Sequence, residues 1–246
     1  WVVLVELWPK ESRPYIGGSQ NNSILELTLG YNGFGRLTGN EVGSVGGGGG
    51  WGTPGIGRLL SSEMGGQIAW FGPAALVLLG FGLWLARGRG RTDRAVAALV
   101  IWGGWLIVTG LTFSFMGGIF HAYYTVALAP AIAAIIGVGG WLMFENRDRQ
   151  SVRLVAGFVV SLTAATAFIL LQRSAGFVPW LSWLILIGGV VAATFISLSA
   201  VLSKRAQIAV AAASIIAVLA GPAAYSLATA ASPHSGSLPS AGPSSS

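Results

Sequence analysis

Charge is scarce in this chain. Of its 246 residues only 9% are Asp, Glu, Lys or Arg, while 53% are hydrophobic. Soluble domains carry about a quarter charged residues, so the composition excludes an ordinary soluble domain and points to the membrane. Cysteine is absent, which removes disulfides, thiolate metal sites and a cysteine nucleophile but carries no information on compartment. The formal net charge of +6 does not gather into a basic patch interleaved with aromatics, so nucleic acid is not an expected partner. The chain opens at Trp1 inside an apolar run, with neither an initiator Met nor the n-region of a signal peptide. It closes on "SPHSGSLPSAGPSSS", which has linker composition. Both ends read as cut, and a fragment of a longer chain is expected.

What the chain has in abundance is long apolar runs. A helix needs ~20 apolar residues to cross the hydrocarbon layer, and six segments qualify: 67–86, 95–115, 120–144, 154–172, 177–202 and 207–230. Residues 1–8 read as the end of an earlier span. The expected fold is an all-α integral membrane protein, a polytopic helical bundle. Its parts are the helix end (1–8), a long extracytoplasmic loop with short helices and a Gly-rich linker (9–66), the six-helix region (67–230) and a Ser/Pro/Gly-rich extracytoplasmic linker (231–246). The connections alternate: "RGRGRTDR", "ENRDRQSVR" and "SKR" are basic, whereas "SFMGGIFH" and "QRSAGF" carry little charge. The positive-inside rule makes the basic ones cytoplasmic, and all three fall on one side when six helices are counted. The predicted location is the cell membrane, multi-pass, with loop and tail outside. Trp70, Trp180, Trp183 and Tyr225 near helix ends suit interfacial anchoring.

Apart from His121 at an outer edge, no ionisable group falls inside the six spans. Ion-coupled transport usually relies on such groups, so their lack weakens a transporter reading. The small-residue runs "GVGG", "IGGVV" and "AVAAAS" suit close helix packing.

The loop is the one long polar excursion, and loops of this length usually carry a function. Ser23-Ile-Leu-Glu26 has capping-box spacing, in which the Ser hydroxyl takes the N3 amide and the Glu returns to the cap. A short helix is then expected over 24–29, stopping at Gly30. Its free amides, beside Asn21, Asn22 and Arg13, could attract phosphate. Arg13 could equally pair with Glu11 or a lipid headgroup, and Asn-rich turns are common. "GYNGFGRLTG" sets Tyr31, Asn32, Phe34 and Arg36 among glycines, a mix that lines sugar sites and also builds ordinary turns. It is neither G-x-G-x-x-G nor a P-loop. The run at 46–50 is linker by composition, and "GIGRLLSSEMGGQIAW" is expected to form a surface helix leading into the membrane. In "GGIFHAYYTVALAP", His121, Tyr123 and Tyr124 sit where one span turns into the next. His121 could donate to a phosphate, while tyrosines also belong to interfacial belts. No outer carboxylate pairs with a His at catalytic spacing, and no metal ligands are assigned.

Three stretches, "SRPYIGGSQNNSILELTLGYNGFGRLTG", "GGQIAWFGPAAL" and "FSFMGGIFHAYYTVALAPAIAAIIG", resemble the actinobacterial branch of family-39 glycosyltransferases. These are multi-spanning GT-C enzymes, similar to protein mannosyltransferases and lipid A aminoarabinose transferases. The resemblance covers residues 1–243, as the C-terminal part of the membrane domain. One departure is Ala122, where the branch often has a proline after the histidine. The resemblance implies transfer of a sugar from a polyprenyl-phosphate donor to a lipid or cell-envelope acceptor on the outer face. It also implies a catalytic acidic residue in an upstream loop, so the fragment alone is expected to be inactive. Arg13, Tyr15, Asn21 and Asn22 would shape the donor or acceptor pocket, and His121 and Tyr124 would face the lipid phosphate. A divalent metal is left open as a cofactor. The competing readings are a lipid-linked sugar flippase or other transporter, and a non-enzymatic membrane scaffold.

Overall fold

The computed structural model describes residues 1–40, 52–174, 176–233, 238 and 240–243. Glu41, the glycine run at 46–50 and part of the Ser/Pro/Gly tail lie outside the described residues. Among the described residues every regular element is helical, and five helices are long and apolar enough to cross a membrane. This is a helical membrane protein.

The chain starts with α1 (Val2–Leu7) and reaches α2, which runs over Glu26–Phe34 with wide, five-residue turns and continues as Gly35–Thr38. The helix does not stop at Gly30. Gly33 kinks it at φ −108° and ψ −112°, and Gly39 ends it in the left-handed region at φ +81°. A tertiary contact outweighs the local glycine signal here. The amides of Gly117 and Gly118 donate to the carbonyls of Leu37 and Arg36, each at 2.9 Å, and hold the last turn. A Cβ on Gly39 would meet the Gly117 carbonyl at 3.1 Å, so both glycines are needed for the approach.

The expected surface helix before the first span is broken. Arg58–Leu60 forms one tight turn and α3 spans only Gly65–Ile68. The apolar run at 67–86 is helical in two pieces, α3 and α4 (Gly72–Leu85), with Pro73 in the first turn of α4 where its missing N–H costs nothing. Trp70 lies at the break, its indole N–H donating to the Gly66 carbonyl at 2.9 Å. Fourteen residues make α4 ~21 Å long, short of the ~30 Å hydrocarbon layer. The other spans follow the expected positions: α5 (Arg94–Phe115), α6 (Ala129–Glu145) led in by a tight turn over Ala122–Leu128, α7 (Gln150–Gln172), α8 (Pro179–Ser197) and α9 (Lys204–Ala231).

Leu78, Leu99, Ile135 and Leu142 form the core of α4 to α6, and Val152 of α7 joins it. Trp70, Ala164, Leu171 and Ile185 form a second core joining α7 and α8. Gly189 packs against the Ala164 methyl so closely that a side chain there would collide, which is what the small-residue runs anticipate. Inside α7 the hydroxyls of Thr163 and Thr166 donate to carbonyls one turn back at 2.8 Å, so these buried polar groups are satisfied within their own helix.

The two ends of the bundle differ in character. Arg89 of the first basic connection donates to Glu145 of the second at 2.7 Å, and one groove joins Arg147 of the second to Lys204 of the third. The opposite end gathers the described parts of the loop and of the tail with the 116–121 turn. There Arg173 donates to the carbonyls of Leu60 and Ser61, each at 2.6 Å. The Gln67 amide pairs with the Ala241 backbone at 2.8 and 3.0 Å, so this part of the tail is docked rather than free linker.

Candidate functional site

The anion-attracting helix end expected near Ser23 exists, and the chain fills it itself. Ser23 Oγ accepts from the Glu26 amide at 3.1 Å, as a capping residue should. The same hydroxyl donates to Glu6, whose carboxylate also accepts from the Ile24 amide at 3.0 Å. Glu26 does not return to the cap. It accepts from the amides of Gln20 and Asn21 at 2.8 and 2.9 Å, and these bonds hold its carboxyl below the usual range. A carboxylate from α1 therefore sits where a phosphate would have bound.

Arg13 serves the same knot. Its guanidinium donates to the carbonyls of Trp8 and Asn22 at 2.8 Å and to that of Glu6, and it lies 3.5 Å from the Glu6 carboxylate. Asn22, at φ +50°, accepts from the Ile16 amide through its side chain at 2.7 Å. Asn21 donates from its side chain to Glu26 at 3.2 Å. Tyr15 stands apart, 88% exposed. Among the described residues, none of these four hydrogen-bonds to or stacks on His121 or Tyr124.

His121 and Tyr124 belong to a second group. The His121 ring lies parallel to Tyr123 at 5.5 Å and edge-on to Tyr124 at 5.4 Å. Tyr124 in turn meets Phe120 edge-on at 6.0 Å. From α2, Arg36 donates to the Ile119 carbonyl at 3.4 Å, and its guanidinium lies 4.7 Å over the Tyr31 ring. Tyr31 lies in the wide-turned part of α2 and Arg36 in the regular turn after the Gly33 kink, and this arrangement sets the guanidinium over the ring. Burial first, and the Arg36 charge second, hold the His121 imidazole below its ordinary value of 6.5, so the ring is neutral near pH 7 with one N–H to donate.

Arg58 was hidden from sequence reasoning. It is 3% exposed, donates to the Met116 carbonyl at 2.6 Å and covers the Phe120 ring at 4.7 Å. Burial lowers its pKa. Its neighbour Leu59 lines an apolar groove of about 330 Å³, whose walls include Ile68, Pro73, Leu106, Leu128 and Ile132. The tight turn that begins after His121 ends at Leu128, so the polar cluster and the groove wall are roughly 12 Å apart along one element. Among the described residues no group of three or more His, Asp or Glu side chains could hold a metal ion.

The protein is thus an all-helical membrane protein in which one short element joins a cationic, aromatic cluster to the wall of an apolar groove. The chain is similar to two Bacillus subtilis (strain 168) proteins. The one named "Putative mannosyltransferase YycA" is 28% identical over 65% of this chain, and the one named "Putative mannosyltransferase YkcB" is 28% identical over 69% of it. In both cases the match spans 36% of the relative's length. No family profile matches the chain, and no solved structure matches it.

Proposed function

We propose that this chain is part of a membrane glycosyltransferase that moves a sugar from a polyprenyl-phosphate donor to an acceptor on the outer face of the membrane. The observation that carries the reading is that Arg36, His121 and Tyr124 gather at the start of the Ala122–Leu128 turn, whose far end, Leu128, lines the apolar groove with Leu59. A lipid-linked donor needs both: a dry channel for the prenyl chain, and positive charge and donors for its phosphate. The names of the two Bacillus relatives support the sugar-transfer part, and the family-39 resemblance supports the GT-C assignment.

In the proposed reaction the acceptor hydroxyl attacks the anomeric carbon, the bond from that carbon to the phosphate oxygen breaks, and lipid phosphate leaves. Arg36 supplies charge to the departing phosphate, and neutral His121 and the Tyr124 hydroxyl supply donors. The acceptor proton needs a base, which the resemblance implies is a carboxylate upstream of these residues. Arg13, Asn21 and Asn22 act by holding the loop in shape, while exposed Tyr15 offers its ring to a sugar face. Residues 9–66 and the tail are then extracytoplasmic, and the basic connections cytoplasmic.

The test is transfer by the full-length protein in proteoliposomes, supplied with a panel of polyprenyl-phosphate sugars. One accepted sugar supports the reading, and no transfer from any of them contradicts it. Chelation in the same assay reports whether a divalent cation takes part.

A further inference from the structure

At the end of the bundle that carries the basic connections, one groove of about 580 Å³ lies between the start of α7, the end of α8 and the start of α9. Its walls are apolar, with Val152 and Ala156 from α7, Ile196 from α8, and Ile208 and Ala211 from α9. Its rim carries Arg147, Arg153 and Lys204 against a single carboxylate, Asp148. We infer that this groove binds an anionic membrane lipid, its phosphodiester headgroup at the three cations and its first acyl segments along the apolar walls.

The first support is uncompensated charge. Arg89, in the neighbouring connection, is neutralised by Glu145 at 2.7 Å and Asp93 at 3.6 Å. Arg147, Arg153 and Lys204 form no ion pair among the described residues. Like charges crowded at one rim repel unless a counter-ion joins them.

The second support is organisation. Arg153 donates to the Asp148 carbonyl at 2.8 Å and to the Arg147 carbonyl at 3.3 Å, which fixes its guanidinium. Its Nε is nevertheless buried with no hydrogen-bond partner among the described residues. A buried donor left without an acceptor is costly and marks a place where one is missing. Arg147 is held as well, donating to the Phe144 carbonyl at 2.9 Å and lying 4.5 Å over the Phe144 ring. Two of the three cations are thus positioned before any ligand arrives.

The third support is shape. A free anion has no use for the apolar walls, whereas an acyl chain does. Only 11% of the apolar window of α9 is buried within the protein, so this helix leaves the groove open sideways to the lipid. Basic pockets between spanning helices are a recurrent seat for anionic headgroups.

The test uses the purified protein, delipidated and offered phosphatidylglycerol and phosphatidylcholine of identical acyl chains, with the retained lipid read by native mass spectrometry. Wild type should retain phosphatidylglycerol preferentially. Each of Arg147→Gln, Arg153→Gln and Lys204→Gln should cut that preference by about fivefold, the worth of one surface cation. Arg91→Gln, which removes a cation not lining the groove, should leave it unchanged, and Arg147→Lys should keep most of it. Equal retention of the two lipids by wild type, or a preference that survives the triple substitution, overturns the inference. So does full displacement by inorganic phosphate, which would make this a free-anion site. The readout is lipid retention rather than sugar transfer, so it stands or falls independently of the proposed activity.

Discussion

The carboxylate of Glu6 and the guanidinium of Arg13 lie 3.5 Å apart, and the Arg13 side chain is 4% exposed. Together they close the helix end at Ser23 from within. Arg13→Ala should therefore act on the loop's stability first, with a cost of about 1.5–3 kcal/mol for the lost charged hydrogen bonds. Hydrogen exchange should report faster amides over 13–26. Arg13→Lys should recover only part, because an ammonium cannot fork between several carbonyls.

Arg36, by contrast, is expected to act on the reaction. In the full-length protein Arg36→Ala should lower kcat by about a hundredfold, the usual effect of removing one donor aimed at developing charge. Helix content measured by circular dichroism should stay unchanged. Arg36→Lys should restore part of the rate. A variant that turns over at the wild-type rate removes Arg36 from the site.

The ring of His121 provides a pH test. The unfolded chain takes up a proton near 6.5, whereas burial and Arg36 hold the folded value lower. The unfolded state therefore binds more protons in that window. The neutral ring's contribution to stability is complete above 6.5 and is lost as pH falls through the folded value. Nuclear magnetic resonance on labelled histidine, with His121→Asn to assign the signal, should give a midpoint under 6.5. Arg36→Gln should move that midpoint upward.

The spans were legible because hydropathy reports burial in lipid without needing tertiary detail: α5 to α9 lie where the apolar runs lie. Ser23 was legible as a cap because the bond to the Glu26 amide is local. Glu6 filling that cap was not, since it joins residues 17 apart through a side chain with other local options. The same limit hid Arg58, whose carbonyl partner at Met116 is 58 residues away. It also hid the continuation of α2 past Gly30, which the 116–121 turn stabilises. Arg36 was visible among the glycines, but its place over Tyr31 depends on the Gly33 kink between them, which no local pattern signals.

Filling the apolar groove should separate binding of the lipid tail from chemistry. A Cβ on Gly110 would approach nothing nearer than Leu59 Cδ1 at 4.0 Å, and Gly110 lines the groove. Gly110→Leu should thus be tolerated by the fold, gaining about 1 kcal/mol of helix propensity. In the full-length protein, under the proposed activity, it should raise KM for a long-chain donor several-fold and leave a short-chain analogue unaffected.

Arg58→Met tests whether the loop must be pinned to the 116–121 turn. It removes a buried cation held by the Met116 carbonyl and the Phe120 ring. Losing this charged hydrogen bond and leaving the Met116 carbonyl without it typically costs about 1.5–3 kcal/mol, so the midpoint of thermal unfolding in detergent should fall. An unchanged midpoint contradicts the anchoring role.

The most direct measurement is photo-crosslinking of the full-length protein with a polyprenyl phosphate that carries a diazirine on its first isoprene unit. Labelled peptides should come from the groove residues of 106–132 and from the 56–60 turn, and Arg36→Ala should reduce the yield. Labelling confined to other segments, or unaffected by Arg36→Ala, would contradict a donor phosphate seated at Arg36, His121 and Tyr124.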